Sequence, residues 1–136
     1  MTRGVLLDTG PLYGLLNAQD QYHSEALTLF ERLEAEGVAV SVAYPALLEA
    51  HRLMLTRSGR DPAKAHARVS EVLDLWSVQY PVAADGGSAR ATLERFNDQR
   101  ISLTDATIAV MAVRLSLRTL TFDQRHFGLM GAEIYE

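Results

Sequence analysis

Gly4-Val5-Leu6-Leu7-Asp8-Thr9-Gly10-Pro11 is the stretch whose reading decides the fold. Val5, Leu6 and Leu7 form a short run with no polar alternation, the pattern of a strand covered on both faces, as in a parallel sheet. A carboxylate ends the run at Asp8. Thr9, Gly10 and Pro11 then supply an exit turn and the first helical positions, with proline near the helix start, where its missing N–H costs nothing. Asp8 is thereby placed where a strand ends and a helix begins. In an open α/β sheet that edge is where ligands bind.

The rest of the chain repeats the strand-then-helix rhythm. The spacing predicts a short helix over 12–18, a turn over 17–20, and an amphipathic helix over 21–36 that buries Ala26, Leu27, Phe30 and Leu33 and ends at Gly37. A second strand is expected over 38–42. A helix then runs from Pro45 to about Arg57, burying Leu47, Leu48, Met54 and Leu55. Residues 58–62 read as a break, with Asp61 as N-cap and Pro62 at the first helical position. The next helix, over 63–76, is expected to bury Ala67, Val69, Val72, Leu73 and Trp76. A third strand over 78–82 must end at Pro81 or lie at an edge. Asp85-Gly86-Gly87 reads as a break before a helix over 88–96, followed by a connector over 97–103. The most apolar helix is expected over 104–117, a fourth strand over 118–122, a turn over 123–127 and a fifth strand over 132–135. Strands alternating with helices imply an α/β fold, a parallel sheet between two helical layers. The length of 136 residues fits one domain with a sizeable core.

The net charge of −4 excludes a broadly basic nucleic-acid binder. If four of the 17 acids gather around a metal, however, the other 13 balance the 13 Lys and Arg, and local positive patches become possible. The chain has no cysteine, so disulfides, thiol catalysis and zinc–thiolate sites are excluded. No signal peptide and no apolar run approaching a membrane span is visible, so a cytoplasmic protein with no membrane role is expected.

Four acids fall at equivalent places in this scheme. Asp8 and Asp123 follow strands, and Glu49 and Asp105 lie near the starts of helices. A parallel sheet puts all such positions on one edge. Carboxylates gathered there raise each other's pKa, and a hard divalent cation with oxygen ligands, Mg²⁺ or Mn²⁺, relieves the repulsion. Helix N-termini on the same edge favour a phosphate. Singly, each acid has a plainer reading: Asp8 as a turn cap, Asp105 as the acid at the third helical position of a Ser102…Asp105 capping box, Asp123 as an N-cap, Glu49 as a solvated helix acid.

In Leu6-Leu7-Asp8-Thr9-Gly10-Pro11-Leu12, Ala46-Leu47-Leu48-Glu49-Ala50, Ser102-Leu103-Thr104-Asp105-Ala106 with Ile108-Ala109, and Leu120-Thr121-Phe122-Asp123-Gln124-Arg125-His126-Phe127, the chain resembles the PIN-domain nuclease family, most closely its small VapC-type toxins. The resemblance covers essentially the whole chain, residues 1–136 as a single domain. It implies a three-layer α/β/α sandwich with a five-stranded parallel sheet and metal-dependent endoribonuclease activity leaving 5′-phosphate and 3′-hydroxyl ends. Asp8, Glu49, Asp105 and Asp123 carry over as metal-site acids, and Thr9 and Thr121 as hydroxyls beside them. It further implies Mg²⁺ (or Mn²⁺) as cofactor, an RNA substrate, a homodimer, and an antitoxin protein whose tail enters the acidic site. Gly10 departs from relatives that carry a longer side chain there. Asp98 stands near a position often acidic in the family and reads here as a surface residue.

Arg52, Arg57, Arg60, Lys64 and Arg68 stand against the single acid Asp61, a local charge of +4 that reads either as an RNA surface or as a solvated helical hairpin. His23, His51, His66 and His126 are scattered and read as structural or surface residues. Other readings are a PIN nuclease acting in RNA or DNA processing without being a toxin, and a nuclease-dead PIN module that only binds. A receiver-like signalling domain fits poorly, since no second acid accompanies Asp8 and Lys64 is the only lysine.

Overall fold

Val5–Leu7 forms strand β1, and all three side chains are fully buried. Successive strand side chains point to opposite faces, so this burial requires cover on both. Each contributes about 1.5–3 kcal/mol, enough for a three-residue strand to anchor the sheet. The structure, a computed structural model, describes residues 3–57 and 61–136. Ser58, Gly59 and Arg60, part of the expected break and of the basic group, lie outside the described residues.

After β1 come α1 (Thr9–Leu16) and α2 (His23–Ala35), then β2 (Val40–Ala43). Gly37, at φ +68°, stops α2: its N–H bonds the Glu34 carbonyl and the Val38 N–H bonds that of Leu33. This is the reciprocal closure that favours glycine just past a helix end. Helices α3 (Tyr44–Thr56) and α4 (Pro62–Leu75) lead to β3 (Ser77–Gln79), and α5 (Ala83–Arg95) and α6 (Leu103–Leu115) to β4 (Arg118–Leu120), with α7 (Gln124–Leu129) last. The strands are parallel in the order β3-β2-β1-β4. Strands β2 and β3 were added on one side of β1 and β4 on the other, so the winding reverses at β1. Leu7 is in register with Val42 on one side and Leu120 on the other.

Several expectations are corrected. Among the described residues the sheet has four strands, not five. The 132–135 segment meets β4 through a single bridge between Thr119 and Ile134, in which the Thr119 N–H bonds the Glu133 carbonyl and the Tyr135 N–H bonds the Thr119 carbonyl, too short a pairing to make a strand. Residues 124–129 form a short helix where a turn was expected. Leu27, Leu48 and Leu73, expected inside, are exposed, Leu48 by 55%. Ala67 is exposed as well, and α4 buries Ala65 and Val72 in its place. Pro81 lies beyond the end of β3, an edge strand, as proline requires.

Asp85-Gly86-Gly87 is not a break but the first turn of α5. Two glycines cost a helix roughly 1 kcal/mol each, yet Asp85 offsets this with tertiary bonds. Its buried carboxylate accepts the Val82 N–H at 2.8 Å and two nitrogens of Arg114, from α6, each at 2.9 Å. Arg114 holds the Asp85 carboxyl below its ordinary pKa. Replacing Arg114 by Ala leaves a buried carboxylate short of donors and is expected to destabilise the fold by about 2 kcal/mol. Replacing Arg90, whose pair with Glu94 is exposed, should change little. Urea denaturation of both variants at pH 7 checks this, and equal midpoints would refute it.

Candidate active site

The register of β1 with β4 continues one residue past each strand. The Asp8 N–H bonds the Leu120 carbonyl, and Asp8 thus lies beside Thr121. Asp8 is 6% exposed, and its side chain makes no cap bond to α1, which removes the reading as a turn cap. Its Oδ2 instead accepts the Thr121 hydroxyl at 2.8 Å across the sheet. The same hydroxyl accepts the Asp123 N–H at 2.9 Å. Among the described residues Asp8 Oδ1 has no hydrogen-bond partner, and neither has the buried Thr9 hydroxyl.

The electrostatics follow. Burial pushes the Asp8 carboxyl up to about 7, against the pull of the Thr121 hydroxyl and the Thr9 amide, and the charges of Asp105 and Glu49 push the same way as burial. The four expected acids, Asp8, Glu49, Asp105 and Asp123, all line one open cleft of about 440 Å³. They arrive from the end of β1, from α3, from the first turn of α6, and from the end of β4. Two of them do local work as well. Asp105 forms the capping box, accepting the Ser102 N–H at 3.3 Å while its own N–H bonds the Ser102 hydroxyl at 3.0 Å. Asp123 caps α7 through the His126 N–H and holds His126 Nδ1 at 2.8 Å. His126 is therefore attached to the site through Asp123, a role its place in the sequence did not reveal.

The cleft has further walls that sequence reasoning missed. Asp20 contributes a fifth acid, from the turn after α1, where the local residues signal a turn and nothing more. Tyr13, Tyr22 and Phe122 contribute aromatic surface. Gly10 has a specific reason to lack a side chain: a Cβ there would stand 3.1 Å from Phe122 Cδ2. The basic group divides. Arg52 and Arg57 line the acidic cleft itself. Arg57 and Lys64 line an adjoining hollow of about 1080 Å³ that shares Tyr13, Asp20 and Gln21 with the cleft. Arg68 does not face either; it pairs with Glu71 at 3.1 Å and reaches the Leu16 carbonyl. Asp98 is exposed and outside the cleft. Of the other histidines, His23 bonds the Gly14 carbonyl, and His51 and His66 face each other across α3 and α4 at 2.9 Å.

The donor set fits a hard divalent cation. It consists of carboxylate oxygens, one of them buried and unpartnered on an acid that burial drives toward protonation. Among the described residues no three His, Asp or Glu side chains are gathered tightly enough to enclose an ion alone. Such a site therefore needs water or phosphate oxygens to complete it, as Mg²⁺ commonly does.

The sequence pattern of the PIN domain matches residues 5–130. Ribonuclease VapC26 of Mycobacterium tuberculosis is 29% identical over 127 residues, 93% of this chain and 91% of that protein. The crystal structure of M. tuberculosis VapC20, a sarcin-ricin-loop-cleaving toxin, superposes with a TM-score of 0.79 at 24% identity, covering 98% of this chain and 99% of that one. VapBC2 of Rickettsia felis, solved on a DNA fragment from its promoter, superposes at 0.72 with 16% identity, covering 97% and 96%.

The Asp8 pKa makes a prediction about stability. The folded value of about 7 lies above the unfolded value of 3.8, so the neutral acid's contribution is fully present below pH 3.8 and is lost as pH rises through 7. In divalent-free buffer, Asp8→Asn is therefore expected to gain stability over the native protein as pH rises from 4 to 8. Urea denaturation at a series of pH values tests it, and parallel stability profiles would show that Asp8 titrates normally.

Proposed function

The chain belongs to the PIN-domain family, and from that premise we propose that it is a metal-dependent endoribonuclease, the toxin of a toxin–antitoxin pair. The observation that carries the proposal is Asp8 Oδ1, a buried carboxylate oxygen left without a partner in a cleft whose other walls include Glu49, Asp105 and Asp123. An acid kept only for structure is satisfied, as Asp85 is by Arg114. The likeness to ribonuclease VapC26 along nearly the whole chain supports RNA as the substrate.

Asp8, Asp105, Glu49 and Asp123 would hold Mg²⁺ or Mn²⁺, directly or through water. When bound, such an ion lowers the pKa of a water and offsets charge on the phosphoryl oxygens. The chain's own groups supply the rest. Thr121 holds the Asp8 carboxylate by one oxygen and leaves the other without a hydrogen-bond partner among the described residues. Its link to the Asp123 amide fixes the end of β4 relative to the end of β1. The Thr9 hydroxyl, buried and unpartnered at the start of α1, is a further donor for a phosphate oxygen. Arg52 and Arg57 stand on the same cleft and attract the RNA backbone to an otherwise acidic mouth. By the same family likeness the protein is a homodimer, and an antitoxin inhibits it by placing an arginine among these acids.

Asp8→Asn and Asp105→Asn are each expected to abolish Mg²⁺- or Mn²⁺-dependent cleavage of a panel of structured RNAs, with circular dichroism unchanged. Undiminished cleavage by both purified variants would sink the proposal. Arg57→Glu should weaken RNA binding and reduce the slope of log K against log salt by about 1. An unchanged slope would mean that Arg57 merely faces water.

A further inference from the structure

One surface of the cleft is left over by this mechanism. Tyr22, just before α2, is 45% exposed, whereas the other tyrosine on the cleft, Tyr13, is buried. Its ring lies against Phe122, with centroids 5.2 Å apart and planes tilted by 38°. Both rings line the cleft that holds Asp8, Asp105 and Asp123. They are not loosely placed. The Tyr22 N–H is held by Asp20 Oδ2 at 3.2 Å, and Asp20's own N–H by the Asn17 carbonyl. Phe122 sits between Thr121 and Asp123, both tied into the acid cluster, and packs on the bare backbone of Gly10. Core packing does not account for Tyr22, because nearly half of it faces solvent.

We propose that Tyr22 and Phe122 form a ledge on which an unpaired nucleobase stacks, next to the phosphate presented to Asp8 and Asp105. The inference rests on the ribonuclease reading above and names the feature of the RNA that it selects. A neutral ring face suits this place. Each nucleobase offers a π-face, whereas another charged side chain would either repel the phosphate or compete for the acids. The arrangement divides the substrate: Arg52 and Arg57 take the backbone, the acids take the reacting phosphate, and the ledge takes the base beside it. Stacking is tolerant of base identity, so the ledge selects bases that are free to leave a helix rather than a sequence. Gly10 and Phe122 act as positioning residues. The glycine, the departure from relatives noted in the sequence, leaves the room that the Phe122 ring fills.

The test uses an unstructured RNA oligonucleotide carrying 2-aminopurine at one position at a time. Stacking on an aromatic ring quenches its fluorescence, and an Asp105→Asn background keeps the strand whole for that reading. Cleavage kinetics are measured in parallel on proteins with native acids. Quenching is expected at one position. Tyr22→Ala should abolish it and raise KM about tenfold while changing kcat by less than about twofold. Tyr22→Phe, which keeps the ring, should retain both the quench and the KM. Gly10→Ala, which crowds Phe122, should weaken the quench as well. Native KM and native quenching in Tyr22→Ala would overturn the ledge while leaving the nuclease intact. Failure of the native protein to cleave any RNA with any divalent ion would overturn the nuclease reading, and the ledge with it.

Discussion

The Thr121 hydroxyl joins the parts of this molecule that matter most. It donates to Asp8 at 2.8 Å and accepts from the Asp123 amide at 2.9 Å, spanning residues 113 positions apart in the chain. Leu7 and Leu120 are in register, so the residues that follow them are neighbours at the sheet edge. A buried carboxylate needs donors. The Thr121 hydroxyl supplies one to Oδ2 and the Thr9 amide adds a smaller pull, while Oδ1 has no hydrogen-bond partner among the described residues.

The two buried aspartates show how surroundings divide one residue type between two roles. Asp85 is as buried as Asp8, but Arg114 grips it through two nitrogens and holds its pKa down. It ties α5 to α6 and is chemically silent. At Asp8 burial, reinforced by the charges of Asp105 and Glu49, outweighs the Thr121 hydroxyl and the Thr9 amide, and the pKa rises. The remaining acids lie between these cases. Asp105 and Asp123 each secure a helix start and also face the cleft, so the segments that bear them are held in place by the same side chains.

Much of this was legible in the residues. The Val5–Leu7 run, the alternation of strands and helices, and the four acids at strand ends and helix starts all depend on local signals: burial period, caps and turn residues. The errors share one cause. At Gly86 and Gly87, the local preference for a break lost to a bond between Asp85 and an arginine 29 residues away. The expected fifth strand reduces to one bridge about Thr119, since the length of a pairing depends on the partner backbone and not on the segment's own pattern. Leu48 and Leu73 match a helical stripe, but a stripe says nothing of how far the neighbouring helix extends over it. Asp20 falls in a stretch whose residues spell only a turn, and Tyr22 at the start of the expected 21–36 helix, with no local signal for which side of the molecule either would border.

The sequence by itself determined the class of fold, the family, and which four acids were candidates, because strand ends and helix starts are set by side chains within a few positions of each other. Only the tertiary structure decided what surrounds each acid. It turned the Asp8 side chain to Thr121 rather than into a side-chain cap of α1, split the basic group so that Arg52 and Arg57 face the acids while Arg68 pairs elsewhere, and set an exposed tyrosine beside the cleft. The physical reason is that a carboxylate's charge state depends on desolvation and on donors contributed by distant segments, and no local pattern encodes which segment arrives beside it.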